Sequence, residues 1–222
     1  MITSNANSPP VDDTIRYLKA KGIPATFKRS TTTVCNEGTE TFGQSGAIST
    51  DNAVLFDGSS GYMATLLPYS NPGPFSVELW FNTTTSQGGK LIGFGDSQTG
   101  GSGSYDRHLY MTNSGQLILG IWNGGSTTVQ TSSAYNDGAW HHAVGTWASG
   151  TLSLYVDGAL IGAASGSPQN FSGFWRLGYD NIGGWPSGPS SYHFAGKIDE
   201  AAVYGYALTS TQVANHYHAG GH

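Results

Sequence analysis

The sequence predicts an all-β fold, a two-sheet antiparallel sandwich carried behind a basic N-terminal arm. Three observations carry this reading. From Ala53 onward, apolar and polar residues alternate in short runs, the period of strands with one buried face. Turn signals separate the runs: Asp57-Gly58, Asn123-Gly124-Gly125, Asn136-Asp137-Gly138 and Asp157-Gly158. Glycine makes up 33 of 222 residues, which suits many tight connections and few helix interiors.

Residues 1–42 read as an arm and residues 43–222 as the sandwich domain. Residues 1–11 are polar and carry prolines. VDDTIRYLKAKGIP, residues 11–24, reads as one short helix. Asp12 or Asp13 caps it, Ile15 and Leu18 share a face, Gly22 ends it and Pro24 follows. A helix with two apolar residues does not stand alone in water, so it needs a surface to dock on. Residues 25–42, with a threonine run, favour extended chain. The strand candidates are AVLFDG (53–58), FSVELWF (75–81), KLIGFG (90–95), HLYMT (108–112) and QLILGIW (116–122). AWHHAVGTW (139–147), TLSLYVDG (151–158), FWRLGY (174–179) and KIDEAAVY (197–204) complete the set. Two glycine-rich loops interrupt them, one over residues 84–89 that runs into 96–105 and one over residues 179–192. Near the C-terminus, Thr209 and Gln212 have capping-box spacing and Leu208 and Val213 staple spacing, which predicts a short helix.

Charge is segregated. The net charge is −5, yet Arg16, Lys19, Lys21, Lys28 and Arg29 are five of nine basic residues. From Ser45 onward four basic residues face ten acidic ones. An acidic domain with a basic arm suggests a protein partner or neighbouring subunit docked through Ile15, Arg16, Leu18, Lys19, Lys21, Lys28 and Arg29. Nucleic acid is a poor partner, because the basic segment has one Tyr and one Phe and the domain repels phosphate. Membrane insertion is not expected, since no run is long and apolar enough to span a bilayer. Cys35 stands alone and gives no disulfide framework. The opening MITSNANSPP lacks the charged and apolar regions of a secretory signal.

Five blocks in order, AVLFDGSSGYM, FSVELWFNT, DGAWHHAVGTW, TLSLYVDGALIG and FAGKIDEAAVYGYALTSTQVANHY, resemble those of laminin-G-like, concanavalin A-like jelly rolls. Pentraxins share the same order of blocks. The resemblance covers about residues 43–219 and implies a jelly-roll sandwich with a core from both inner faces. The lead-in FGQSGAISTDNAVLFDG resembles bacterial and bacteriophage members.

Setting the chain beside the pentraxin pattern aligns SYDRHLYM and LGYDNIGG with the calcium rim, nominating Asp106, Asp180 and Asn181 as Ca²⁺ ligands. The following loop, NIGGWPSGPSSYHF, has no further acid, so such a site would be weak. Asp57 and Asp199 are expected to fix turns instead.

For a glycan, aromatic faces beside glycine-rich loops nominate Tyr105, Trp122, Trp185 and Tyr192. Trp185, before Pro186, reads as the most exposed of them, a structural lid being its other role. Trp80, Trp140 and Trp147 lie inside strands and read as packing. His141 and His142 are strand neighbours on opposite faces, so they do not chelate one metal.

Glycoside hydrolysis needs two carboxyl groups across a scissile bond. The Glu-x-Asp-x-Glu run of related hydrolases is absent, and Glu78 with Glu200 is the remaining pair. The leading expectation is a non-enzymatic recognition or adhesion module, at a virion surface or outside the cell. Its rival is a purely structural bacteriophage protein, a capsid decoration or minor tail component.

Overall fold

The computed structural model describes residues 40–48 and 52–221. Ile15, Arg16, Leu18, Lys19, Lys21, Lys28, Arg29 and the helix expected around them lie outside the described residues. The described residues form strands β1 (Thr41–Ser45), β2 (Asn52–Asp57), β3 (Met63–Ala64), β4 (Tyr69–Ser70) and β5 (Phe75–Asn82). Then come β6 (Gly89–Gly95), β7 (Tyr105–Met111), β8 (Leu117–Trp122), β9 (Ser126–Gln130) and β10 (Trp140–Ala148). β11 (Thr151–Val156), β12 (Ala159–Ser165), β13 (Ser172–Leu177), β14 (Ala195–Tyr204) and helix α1 (Ser210–Ala219) close the chain. All nine expected runs are strands. β1 begins at Thr41, so the sheet takes in the last two residues of the segment read as arm.

The strands build two antiparallel sheets. One runs β1-β2-β14-β5-β10-β11-β12, the other β3-β13-β6-β7-β8-β9 with β4 also on β13. Between them lies the core. Val77, Leu79 and Phe81 of β5 meet Leu109 and Met111 of β7, Leu117 and Leu119 of β8 and Trp175 of β13, all buried. Alternation sends Glu78 and Trp80 to the other face of β5, as the sequence pattern requires. Between β11 and β12, Asp157 (φ 50°) and Gly158 (φ 77°) are both left-handed. That is the two-residue turn whose twist matches a hairpin.

Helix α1 covers the outward face of the first sheet. Thr209 caps it, accepting the Gln212 N–H, while the Gln212 side chain accepts from the Thr209 N–H. Leu208 and Val213 are buried with Val144, Tyr155, Ala202 and Tyr204. Burying each contributes up to about 1.5–3 kcal/mol, more than the roughly 1 kcal/mol of a cap, so packing decides where the helix sits. Tyr217 stacks on Trp80 with ring centroids 5.7 Å apart.

Beneath the helix, Glu78 is buried and fully committed. Its Oε1 lies 2.8 Å from His142 Nε2 and 2.9 Å from His216 Nδ1, and its Oε2 accepts from the Tyr204 hydroxyl. Burial alone would raise this carboxyl, but the His142 and His216 imidazoles hold it down at about 2. A carboxyl depressed in the folded state stabilises the fold above its ordinary pKa, and that stability is lost as pH falls toward the folded value. Stability is therefore expected to decline between about pH 4.5 and pH 2. Glu78→Gln is expected to lower stability by roughly 1–3 kcal/mol at pH 7 and to flatten that decline, measured by urea unfolding across pH.

Candidate functional site

The outward face of the second sheet follows from the same alternation. With Leu109 and Met111 in the core, His108 and Tyr110 of β7 point outward. With Leu117, Leu119 and Ile121 inward, Ile118, Gly120 and Trp122 of β8 share that outer face. Register places Arg176 opposite Gly93, and His108 opposite Gly120, which in turn lies opposite Thr128. One outer face of an antiparallel sandwich is usually wet. Here Lys90, His108, Tyr110, Ile118 and Arg176 are fully buried.

The cover is the segment between β13 and β14. The Phe194 N–H donates to the Gly178 carbonyl at 2.8 Å, and the Tyr179 and His193 rings stack at 3.8 Å, almost parallel. Its ends thus meet, the signature of an Ω-loop. The Tyr105 hydroxyl donates to the Gly183 carbonyl at 2.8 Å, and the Tyr110 hydroxyl donates to that of Pro186. Burial raises the pKa of both phenols, so these hydroxyls stay protonated and can donate at neutral pH. Ile182 and Trp185 pack with Tyr110 and Ile118, flanked by Tyr105 and Tyr192.

The four aromatic candidates therefore converge. Their roles differ from expectation in one respect. Trp185 is only 7% exposed and lies against Gly120, edge-on to His108 at 4.5 Å. It is the lid, because Gly120 and the inward packing of Ile182 leave room for an indole. Trp122, 37% exposed and 6.3 Å from Trp185, is the most exposed of the four.

Asp106 and Asp180 are buried and engaged internally. Asp106 pairs with the Arg107 guanidinium at 3.2 Å and accepts the N–H groups of Arg107, Trp122 and Gln169. Burial pushes its carboxyl up, with Arg107 opposing. Asp180 accepts from the Lys90 ammonium at 3.2 Å, from the Ser102 N–H and hydroxyl and from the Asn181 N–H. Burial would raise this carboxyl too, but Lys90 and Arg176 hold it below the usual range. Asn181 Oδ1 accepts the Gly183 N–H.

That donor set does not fit calcium. The carboxylate oxygens already face cations and amides, Asp106 the Arg107 guanidinium and Asp180 the Lys90 ammonium. No group of three His, Cys, Asp or Glu side chains suited to a metal occurs among the described residues. Asp106, Asp180 and Asn181, the residues expected to line a calcium rim, are each engaged by partners within the chain. Asp57 does fix its turn, accepting the N–H groups of Ser59, Ser60 and Gly61. Asp199 accepts from Ala47 and Glu200. His141 pairs with Asp157 and Asp137 while His142 meets Glu78, so the two histidines do face opposite ways.

Lys90, His108, Tyr110 and Arg176 were not anticipated. A signal existed: the domain has four basic residues, and KLIGFG and FWRLGY place two of them in apolar strands, where a cation needs a buried anion. Burial lowers the Lys90 pKa to about 8, with Asp180 opposing. Removing Asp180 leaves Lys90 buried without its hydrogen-bonded counter-charge. Asp180→Asn is expected to cost roughly 3–5 kcal/mol in a urea melt, with EDTA leaving the wild-type midpoint unchanged.

With the geometry described, comparison places the chain among known folds. Domain 4 of AbnA, a GH43 extracellular arabinanase from Geobacillus stearothermophilus in complex with arabinotriose, superposes with TM-score 0.59 at 21% identity, covering 80% of this chain and 81% of that one. A SAP-like pentraxin from Limulus polyphemus gives 0.56 at 17%, covering 73% and 79%. The CBM40 of Ruminococcus gnavus IT-sialidase, bound to α2,3 sialyllactose, gives 0.52 at 20%, covering 67% and 83%. These likenesses speak for the fold. No curated protein sequence matches the chain. The laminin-G-type family model described as the concanavalin A-like lectin/glucanases superfamily matches residues 56–214. The chain belongs to that superfamily.

Proposed function

We propose that this protein is a non-catalytic glycan-binding module that meets its ligand at the rim where β8 ends and the Ω-loop lies over it. The observation that carries the reading is Trp122, an indole left 37% exposed beside a buried aromatic cluster that holds it in place. A rigid aromatic face with one side open suits the apolar face of a pyranose, and binding to it costs little conformational entropy because the ring is already held. The Tyr105 and Tyr192 hydroxyls converge near Gly183 and offer polar partners at the same rim. Binding-domain neighbours, one holding arabinotriose and one sialyllactose, support the same class.

The absence of catalysis in this reading rests on where the buried carboxylates are engaged. Glu78 is held by His142, His216 and Tyr204 beneath α1, which leaves it no role as a glycosidase acid opposite Glu200. Asp106 and Asp180 are held by Arg107 and Lys90. Residues 1–42 serve as the tether to a larger assembly, on the strength of the basic segment between Arg16 and Arg29.

A glycan array followed by calorimetry tests the rim. Trp122→Ala is expected to weaken saccharide binding at least about tenfold without changing the melting temperature. Unchanged binding by Trp122→Ala would remove the rim from the site. Saccharide turnover would overturn the non-catalytic reading.

A further inference from the structure

Three glycines, Gly93, Gly95 and Gly120, shape the floor beneath the Ω-loop. A Cβ at Gly95 would stand 2.2 Å from Asp180, one at Gly93 2.4 Å from Lys90 and 2.6 Å from His108, and one at Gly120 2.3 Å from Trp185. The missing side chains open a trough across β6, β7 and β8. The chain fills it with a carboxylate, an ammonium, an imidazole and an indole of its own.

This filling leaves polar groups unanswered. The Nε and Nη2 of Arg176 have no hydrogen-bond partner among the described residues, and the ring nitrogens of His108 have none from a side chain there, a backbone group of Tyr105 lying near them. Buried polar groups of this kind are rare and costly, and they ask for an explanation. The Lys90 ammonium makes one hydrogen bond, to Asp180, which Arg176 also faces at 3.8 Å. Asp106 is taken by Arg107. Three cations thus face two carboxylates, and the surplus is positive.

The plug itself is held less firmly than the trough. Asp180 is fixed by Ser102 and Lys90, but residues 182–186 meet the sheet through two tyrosine hydroxyls and the packing of Ile182 and Trp185. No strand ladder holds them.

We infer that the trough is a binding subsite for a carboxylate-bearing sugar, whose ring takes the place of the Trp185 indole over Gly120 and whose carboxylate faces Lys90. The inference rests on the glycan-binding reading above and names its ligand class. A pyranose presents an apolar face of about the breadth of the indole's six-membered ring. Its hydroxyls supply His108 with the donor and acceptor that an indole lacks. Its carboxylate supplies the third anion, at a site too dry for water to screen the attraction. Trp185 then acts as an internal stand-in that ligand displaces, and Trp122 remains as the wall beside it.

The test compares uronate- and sialate-terminated oligosaccharides with their methyl esters and with neutral saccharides, by calorimetry on the full chain. The acids are expected to bind about tenfold or more tighter than their esters. Lys90→Met is expected to abolish that preference while keeping the residual ester binding. Trp185→Ala is expected to tighten the acids several-fold, because the stand-in is gone. Should Lys90→Met fail to fold, hydrogen exchange on the unmodified chain decides. Bound acid is expected to speed exchange at Trp185, Ser190 and Ser191, whose N–H groups bond to Ile182, Asn113 and Gln87 in the closed loop. Equal affinity for acid and ester, or slower exchange in the loop, would overturn the inference and leave a neutral-glycan site at the rim. No binding to any saccharide would sink the glycan reading with it.

Discussion

The Lys90–Asp180 ion pair is the constraint around which the half of the molecule that carries the proposed site is arranged. An ammonium in the interior of a β6 strand cannot be left unpaired, and the anion that answers it comes from the chain ninety residues later. That one contact ties the first turn of the Ω-loop to the sheet. Once Asp180 is fixed, Ile182 and Trp185 are carried over β7 and β8, and a face that would otherwise be hydrated becomes dry.

The two outer faces of the sandwich are closed in different ways. On the first sheet a capped helix does so, seated by Leu208 and Val213 and registered by Glu78 against His142 and His216. On the second sheet an irregular loop does it, with glycines beneath and aromatic side chains between. The helix satisfies its own backbone and needs only an apolar stripe to dock. The loop has no such self-sufficiency, so hydroxyls of Tyr105 and Tyr110 reach up to its carbonyls. The proposed recognition site lies on the loop side, where side chains of several elements meet.

Much of the fold was legible in the sequence, because alternation fixes which way each side chain of a strand points. Val77, Leu79 and Phe81 against Glu78 and Trp80 is such a case, and the Thr209–Gln212 cap is another. Strands β9 and β12 were not read, since STTVQ and ALIGAAS lack alternation and lie at sheet edges where burial does not impose it. The convergence of Tyr105, Trp122, Trp185 and Tyr192 was legible from their positions beside glycine-rich loops. Their exposures were not, because whether an indole faces solvent depends on what lies beneath it, here Gly120, far from Trp185 in sequence and against it in space. Asp106 and Asp180 were nominated by the resemblance to the pentraxin pattern, and their partners Arg107 and Lys90 were not legible there, because a pairing across strands does not show in the linear order.

The joined neck of the Ω-loop has a consequence for how such a domain diversifies. With Gly178 bonded to Phe194 and Tyr179 stacked on His193, the span between is held at its base whatever its length, and lengthening a loop so closed adds little entropic penalty. Substitution or insertion in the stretch from 183 to 191 can therefore reshape the rim while β13 and β14 keep their places. The sandwich is a handle, and that stretch behaves as an interchangeable bit.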